Sequence, residues 1–381
     1  MTRSPLTRLV RAAAGLVLVL ALAADSAAAA ARPTAPPVPV FPLAEEFRVA
    51  FEGEILGPPL AFGGDILLSL ASGRVLAVDA AGNKLRWAFT AKDRLAASAA
   101  AGPGFVVVAD RGGRLTRLGA DGRVVWERPV PGIASAPLVL SEGSIMGVFD
   151  GRTLRVFDAA TGGERWSYTA DRDVLSAPRP WKGRVLLATA ARTIVLAAPP
   201  GQVALGFGLT DLPSGHILVD GDRLFVGLAN GTIECRNLGK GPRRWVVKTG
   251  GILVGNPIAD RTRIYFLTDS RVLFALDKKS GNVLWWRSLP GRAFGEPVPA
   301  GPHLLASALA PVLTAFDPAT GKKTAETDLK LDLVAPPLVL GERIVAAVRD
   351  PVTGAGALLV LKSKPPPPAA PKKKSTSGGR S

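Results

Sequence analysis

Five of the seven tryptophans stand at Trp87, Trp126, Trp166, Trp245 and Trp285, separated by 39, 40, 79 and 40 residues. Self-similarity at a fixed period of about 40 residues marks a chain built from stacked supersecondary units, and no other feature restricts the fold so strongly. The 79-residue gap is two periods with one tryptophan missing, and the empty slot falls on Leu205. One step forward from Trp285 reaches Ala325 and one step back from Trp87 reaches Phe47, which makes eight positions.

Other marks keep the same phase. Eleven or twelve residues after most slots comes a proline: Pro59, Pro137, Pro178, Pro257, Pro297 and Pro337, with Ala99 and a residue near His216 in the other two places. A glycine follows, then an alternating run ending in an acid, as in Leu154 to Asp158 and Leu273 to Asp277. Another glycine comes next (Gly82, Gly162, Gly281, Gly321), and the tryptophan slot lies four or five residues beyond it. Short Val-, Leu- and Phe-rich runs broken by turn residues are strands and hairpins. The Asp158–Gly162 and Asp317–Gly321 segments suit tight turns, since Asp caps the turn backbone and Gly supplies positive φ. Four strands per unit at this period is the propeller pattern. One sheet cannot cover both its faces, so the units must stack radially with the recurrent tryptophan as spacer.

The closure is legible too. The last unit offers strands near Leu338–Leu340, Arg343–Val348 and Ala357–Leu361, then runs into a tail before its fourth strand. Residues 45–52 have fourth-strand phase, with Phe47 in the tryptophan slot, so they should pair into the last blade and remove an open edge. The expected fold is all-β: an eight-bladed β-propeller over 45–361, its last blade closed by the N-terminal strand.

The formal net charge of +16 invites a nucleic-acid reading, but its location argues otherwise. Arg3, Arg8, Arg11 and Arg32 sit at one end, and Lys362, Lys364, Lys372, Lys373, Lys374 and Arg380 at the other. The remainder is scattered over eight units, with no basic stripe. Residues 1–31 read as a cleaved export signal, with a basic start, an apolar Ala12–Ala24 core and a small-residue Ser26–Ala31 region. No cysteine lies near the cleavage region, so no lipid anchor is expected. Residues 32–44 read as a linker. The tail, 362–381, reads as a solvated Pro- and Lys-rich end, with weak electrostatic contact to anionic surfaces as its sharper use. A single Cys excludes an internal disulfide framework and multi-Cys metal sites, and two His cannot supply a His-rich metal centre.

The segment Ala275–Trp285, with Asp277, Gly281 and Trp285, resembles the Ala-x-Asp-x-x-x-Gly-Lys-x-x-Trp repeat of quinoprotein-like (PQQ-like) propellers. Phe157–Trp166 and Ala77–Trp87 follow it less closely. The quinoprotein dehydrogenases of that group need a vicinal disulfide and calcium-binding carboxylates, and this chain offers neither. The resemblance is closest to the BamB type, exported eight-bladed accessory subunits of outer-membrane β-barrel assembly. It implies a non-catalytic protein-binding scaffold, monomeric, periplasmic or outer-membrane-associated, with a protein partner in the cell envelope. The alternative is a propeller that holds a quinone cofactor or a glycan in its central channel.

No catalytic, cofactor-binding or metal-ligating residue is assigned. Cys235 is in phase with Ala77, Ala275 and Ala315, the position of a small buried strand residue. His216 and His303 lack a neighbouring acid and nucleophile pattern. Gly206–Gly208 has no helix after it to bind phosphate. Trp286 follows Trp285 and is expected to pack within the sheet stack from the other face. Trp181, flanked by Arg179 and Lys182 at a hairpin tip, is a candidate partner anchor. The loops 170–175 and 210–215 depart most from the repeat, and the resemblance makes them a docking edge. Its candidate residues are Arg172, Asp173, Leu175 and Asp211, beside Trp181.

Overall fold

Alternating apolar runs between glycine turns fold as antiparallel strands joined by hairpins. A computed structural model describes residues 38–39, 41–239 and 242–364 of the chain. Every regular element among them is a β-strand, and the strands make eight antiparallel sheets, an eight-bladed β-propeller. The export signal at 1–31, most of the linker and the tail beyond Lys364 lie outside the described residues. No helix among the described residues is long and apolar enough to cross a membrane.

Blades one to seven run in chain order over 60–90, 100–129, 139–169, 179–208, 213–248, 258–288 and 298–328. Blade three is representative: Val139–Ser141, Ser144–Phe149, Thr153–Asp158 and Glu164–Thr169 pair in sequence, innermost to outermost. Blade eight draws Arg343–Arg349 and Gly356–Ser363 from one end of the chain and Leu43–Phe51 from the other. Phe47 faces Val360, and Glu46 accepts two bonds from the Arg343 guanidinium at 2.6 and 2.9 Å. The N-terminal strand therefore closes the ring, and pairing extends two residues further at each end than the 45–361 read from the sequence.

Where an acid ends the third strand, it ties the turn into the fourth. Asp158 Oδ1 accepts from the Ala160 and Thr161 amides and the Thr161 hydroxyl, while Gly162 adopts φ 74°. That glycine is required from both sides, because a Cβ there would lie 3.0 Å from the Trp126 ring of the preceding blade. The same joint recurs at three more of the five periodic tryptophans. Trp87, Trp245 and Trp285 lie on Gly122, Gly281 and Gly321 of the next blade. The indole N–H groups of Trp87, Trp126, Trp245 and Trp285 donate to Ala120, Ala159, Lys278 and Pro318 carbonyls at 3.0 to 3.4 Å. Eight apolar clusters fill the eight seams between blades.

Trp286 corrects the sequence reading. Alternation does turn it away from Trp285, but it is 55% exposed rather than packed. Blades are wedges that diverge from the axis, and at the rim of this seam Trp245 of blade five already occupies the Gly281 turn. Among the described residues, more than half of the Trp286 surface stays uncovered there.

Candidate docking face and axial cavity

Each blade has two ends. The loops that enter a blade and the turns between its second and third strands share one end, because in six blades the loop forms a bridge at or just past the end of the second strand. Examples are Ala134 with Phe149, Val174 with Thr189 and Leu253 with Thr268. The hairpins between first and second strands share the other end.

Arg172, Asp173, Leu175 and Asp211 are brought together on the loop end. The Arg152 guanidinium fixes the backbone of the first loop by donating to the Ala170 and Asp171 carbonyls at 2.9 and 2.5 Å. The exposed Arg172 and Asp173 side chains have no hydrogen-bond or ion-pair partner among the described residues, and Leu175 is 38% exposed. The second loop packs directly on the first: a Cβ on Gly215, which has φ 90°, would lie 2.4 Å from the Leu175 carbonyl oxygen. Asp211 accepts from the Leu212 amide at 2.7 Å and faces Arg192 at 3.8 Å.

Trp181 is not with them. It sits at the opposite end of blade four, opposite Arg184, whereas Val174 bridges Thr189 five residues further along the second strand. At roughly 3.4 Å per residue the two levels are about 17 Å apart. Its indole N–H donates to the Gly221 carbonyl of blade five at 2.9 Å, and Lys182 lies over its ring and pairs with Asp222.

Sequence reasoning passed over three residues on the loop end. Ile133, Ile252 and Leu309 are 45%, 36% and 50% exposed. Asp150 and Asp269 accept from the Ile133 and Ile252 amides at 2.8 and 2.9 Å, which holds the backbone down and turns the side chain outward. The available signal was an aliphatic residue directly after a loop glycine, Gly132-Ile133 and Gly251-Ile252.

The remaining candidates are placed as follows. Cys235 is fully buried, and burial pushes its thiol up to about 11, so it is an inert packing residue. His303 Nδ1 lies 2.9 Å from the Thr324 hydroxyl. Gly206 and Gly208 lie in the outer strand of blade four. Among the described residues no group of three or more His, Cys, Asp or Glu is arranged to hold a metal ion. First strands of seven blades, with the loop residues beside them, surround an axial cavity of about 710 Å³, where His216, Asn256 and Glu296 meet Pro58, Leu60 and Leu140.

A family profile described as outer membrane protein assembly factor BamB matches residues 71–205 and 201–293, together more than half of the chain. Among solved structures, BamB from Moraxella catarrhalis is similar at TM-score 0.68 and 16% identity, covering 84% of this chain and 99% of that one. The computationally designed Ika8 protein is similar at TM-score 0.69 and 14% identity over 81% and 98%. Saccharomyces cerevisiae Sqt1 is similar at TM-score 0.67 and 11% identity over 84% and 98%. At these identities the structural likenesses establish the fold alone. No curated protein sequence matches the chain. The turn-and-tryptophan joints and the profile match agree: the chain belongs to the PQQ-like propeller family of the outer membrane protein assembly factor BamB.

Proposed function

We propose that this propeller is a non-catalytic docking scaffold of the cell envelope, exported without a lipid anchor and acting with the machinery that assembles outer-membrane β-barrels. One observation supports the reading most. The loop end presents four exposed aliphatic side chains, Ile133, Leu175, Ile252 and Leu309, and two unpaired charges, Arg172 and Asp173. Apolar anchors on backbone that is already pinned, set among unpartnered charges, are the composition of a protein-binding patch. Their loops are held by Arg152, Asp150 and Asp269, so little ordering is lost on binding. Family membership supplies the class of partner.

The test is affinity purification of the full chain from membranes of the cells that make it. A β-barrel assembly subunit should co-purify, and L175E combined with I252E should reduce its recovery by at least about tenfold. The double variant should elute as the same monomer and melt at the same temperature. Wild-type protein that brings down no such subunit refutes the reading. So does equal recovery with the double variant.

A further inference from the structure

Trp166 breaks the rule that the other periodic tryptophans follow. Trp87, Trp126, Trp245 and Trp285 each lie on a turn glycine of the next blade and donate the indole N–H to a carbonyl of that turn. The Trp166 N–H has no acceptor among the described residues. The cause is the blade-four turn. Blades three, six and seven place their turn glycine four residues after an acid, as in Asp158 to Gly162. Blade four runs Ala198-Pro199-Pro200-Gly201, one residue shorter and without the acid. Its glycine, at φ 112°, comes down on the strand beside the ring, where a Cβ would collide with the Ser167 carbonyl oxygen.

A cavity of about 490 Å³ opens there between blades three and four, at the hairpin end. Its apolar lining is Met146, Val156 and Trp166 from blade three and Trp181, Val185 and Pro199 from blade four. Both indoles are fixed before any ligand arrives. Trp166 packs against the apolar cluster of this seam, while Trp181 is tied to the Gly221 carbonyl and covered by Lys182. The charges in the lining are unequally matched. Arg165 donates to Asp158 at 2.5 Å and to the Ser144 hydroxyl at 2.9 Å, and Lys182 pairs with Asp222 at 2.6 Å. Arg184, half-buried in the lining, has no hydrogen-bond or ion-pair partner among the described residues. The acid of the lining, Glu142, is exposed at the hairpin tip of blade three.

We infer that this cavity binds an acidic sugar, a pyranose ring bearing a carboxylate. Arg184 takes the carboxylate through its planar fork of donors. The C–H face of the ring packs on the electron-rich indole faces. The Trp166 N–H and the Ser141 hydroxyl, which also lacks a partner among the described residues, bond the ring hydroxyls. An aromatic acid would suit Arg184 and the indoles equally, but it would cover Ser141 and Arg165 without replacing their water. The cavity volume falls within the roughly 300–1,000 Å³ of small-molecule sites. This site is independent of the docking face at the other end of the blades.

The experiment titrates the purified full chain with D-glucuronate and digalacturonate, read by tryptophan fluorescence and ligand-observed NMR. Saturable binding is expected, weakened about tenfold or more for the methyl ester of glucuronate, which lacks the charge. Arg184→Gln should weaken glucuronate by at least about tenfold at an unchanged melting temperature. Trp166→Phe keeps a ring but removes the donor and should weaken binding about fivefold. The same change at Trp126, whose N–H is already bonded to the Ala159 carbonyl, should leave binding unaltered. No saturable binding to the wild type overturns the proposal. Equal affinity for glucuronate and its methyl ester does so too, as does undiminished binding by Arg184→Gln. Tighter binding of phenylacetate than of either sugar acid also overturns it.

Discussion

The seam between blades six and seven and the seam between blades four and five solve one packing problem in different ways. At the first, Trp285 is 7% exposed, lies on Gly321, and donates to the Pro318 carbonyl, which also accepts from the Tyr265 hydroxyl at 3.0 Å. At the second the slot holds Leu205, half-buried, and the seam is completed from elsewhere. Trp181 crosses to Gly221 from the innermost strand. Glu234, with no exposed side chain, pairs with Arg236 at 2.7 Å and accepts from the Thr210 hydroxyl, while Arg236 lies over Phe207. An apolar joint that any blade can reuse has been replaced by a buried polar one tied to Thr210, the residue at which loop 210–215 begins. The irregular seam lies directly beneath the two loops of the docking face. Regular joints hold the ring together, and the irregular one holds particular loops in place.

If that division is right, removing a regular joint should cost the most. Trp285→Ala deletes a buried indole and its bond and should lose about 4 kcal/mol in denaturant unfolding, against about 1 kcal/mol for the half-buried Leu205→Ala. Equal losses would show that the tryptophans are not what holds the seams.

The irregular seam should respond to charge removal instead. Glu234→Leu removes the carboxylate that pairs with the buried Arg236 guanidinium and should cost about 3 kcal/mol. Adding Arg236→Met should restore most of that stability. Loop 210–215 should nonetheless be cut faster by protease in the double variant, because Thr210 has lost its acceptor. Wild-type cleavage in the double variant would mean that the pair does not position the loop.

The difference between the seams also explains what could be read from the sequence. Trp87, Trp126, Trp245 and Trp285 repeat because one turn geometry is reused, so blade number, blade boundaries and closure through Phe47 followed from spacing alone. Cys235 followed for the same reason, sharing its phase with Ala77 and Ala275. Trp286 did not, since alternation gives the face of a strand but not how far the next wedge reaches. Trp181 was grouped with Arg172 and Asp173, although it lies at the opposite end of its blade. The register of first strands against second strands separates them, and three-residue strands such as Arg179–Trp181 leave little periodicity to read. His216, Asn256 and Glu296, which line the axial cavity, were dispersed for the same reason. They come together only after the blades close.

Acid should distinguish the two kinds of blade most gently. Arg165 and then Thr161 hold the Asp158 carboxyl down to about 2, and the Ser280 and Thr320 amides lower Asp277 and Asp317. Blades two, four and five have Gly119, Ala198 and Asn237 in this place, so that position carries no charge in them. A carboxylate whose folded pKa lies below its unfolded value contributes stability that is complete above the unfolded value and lost as pH falls through the folded one. The unfolding midpoint should therefore fall between about pH 4 and about pH 2. The triple variant D158N, D277N and D317N should flatten that fall, while Asn237→Asp should steepen it by giving blade five the turn of its neighbours. An unchanged acid slope in the triple variant would leave these turns with backbone geometry as their only source of stability, and the two kinds of blade would then differ in their tryptophans alone.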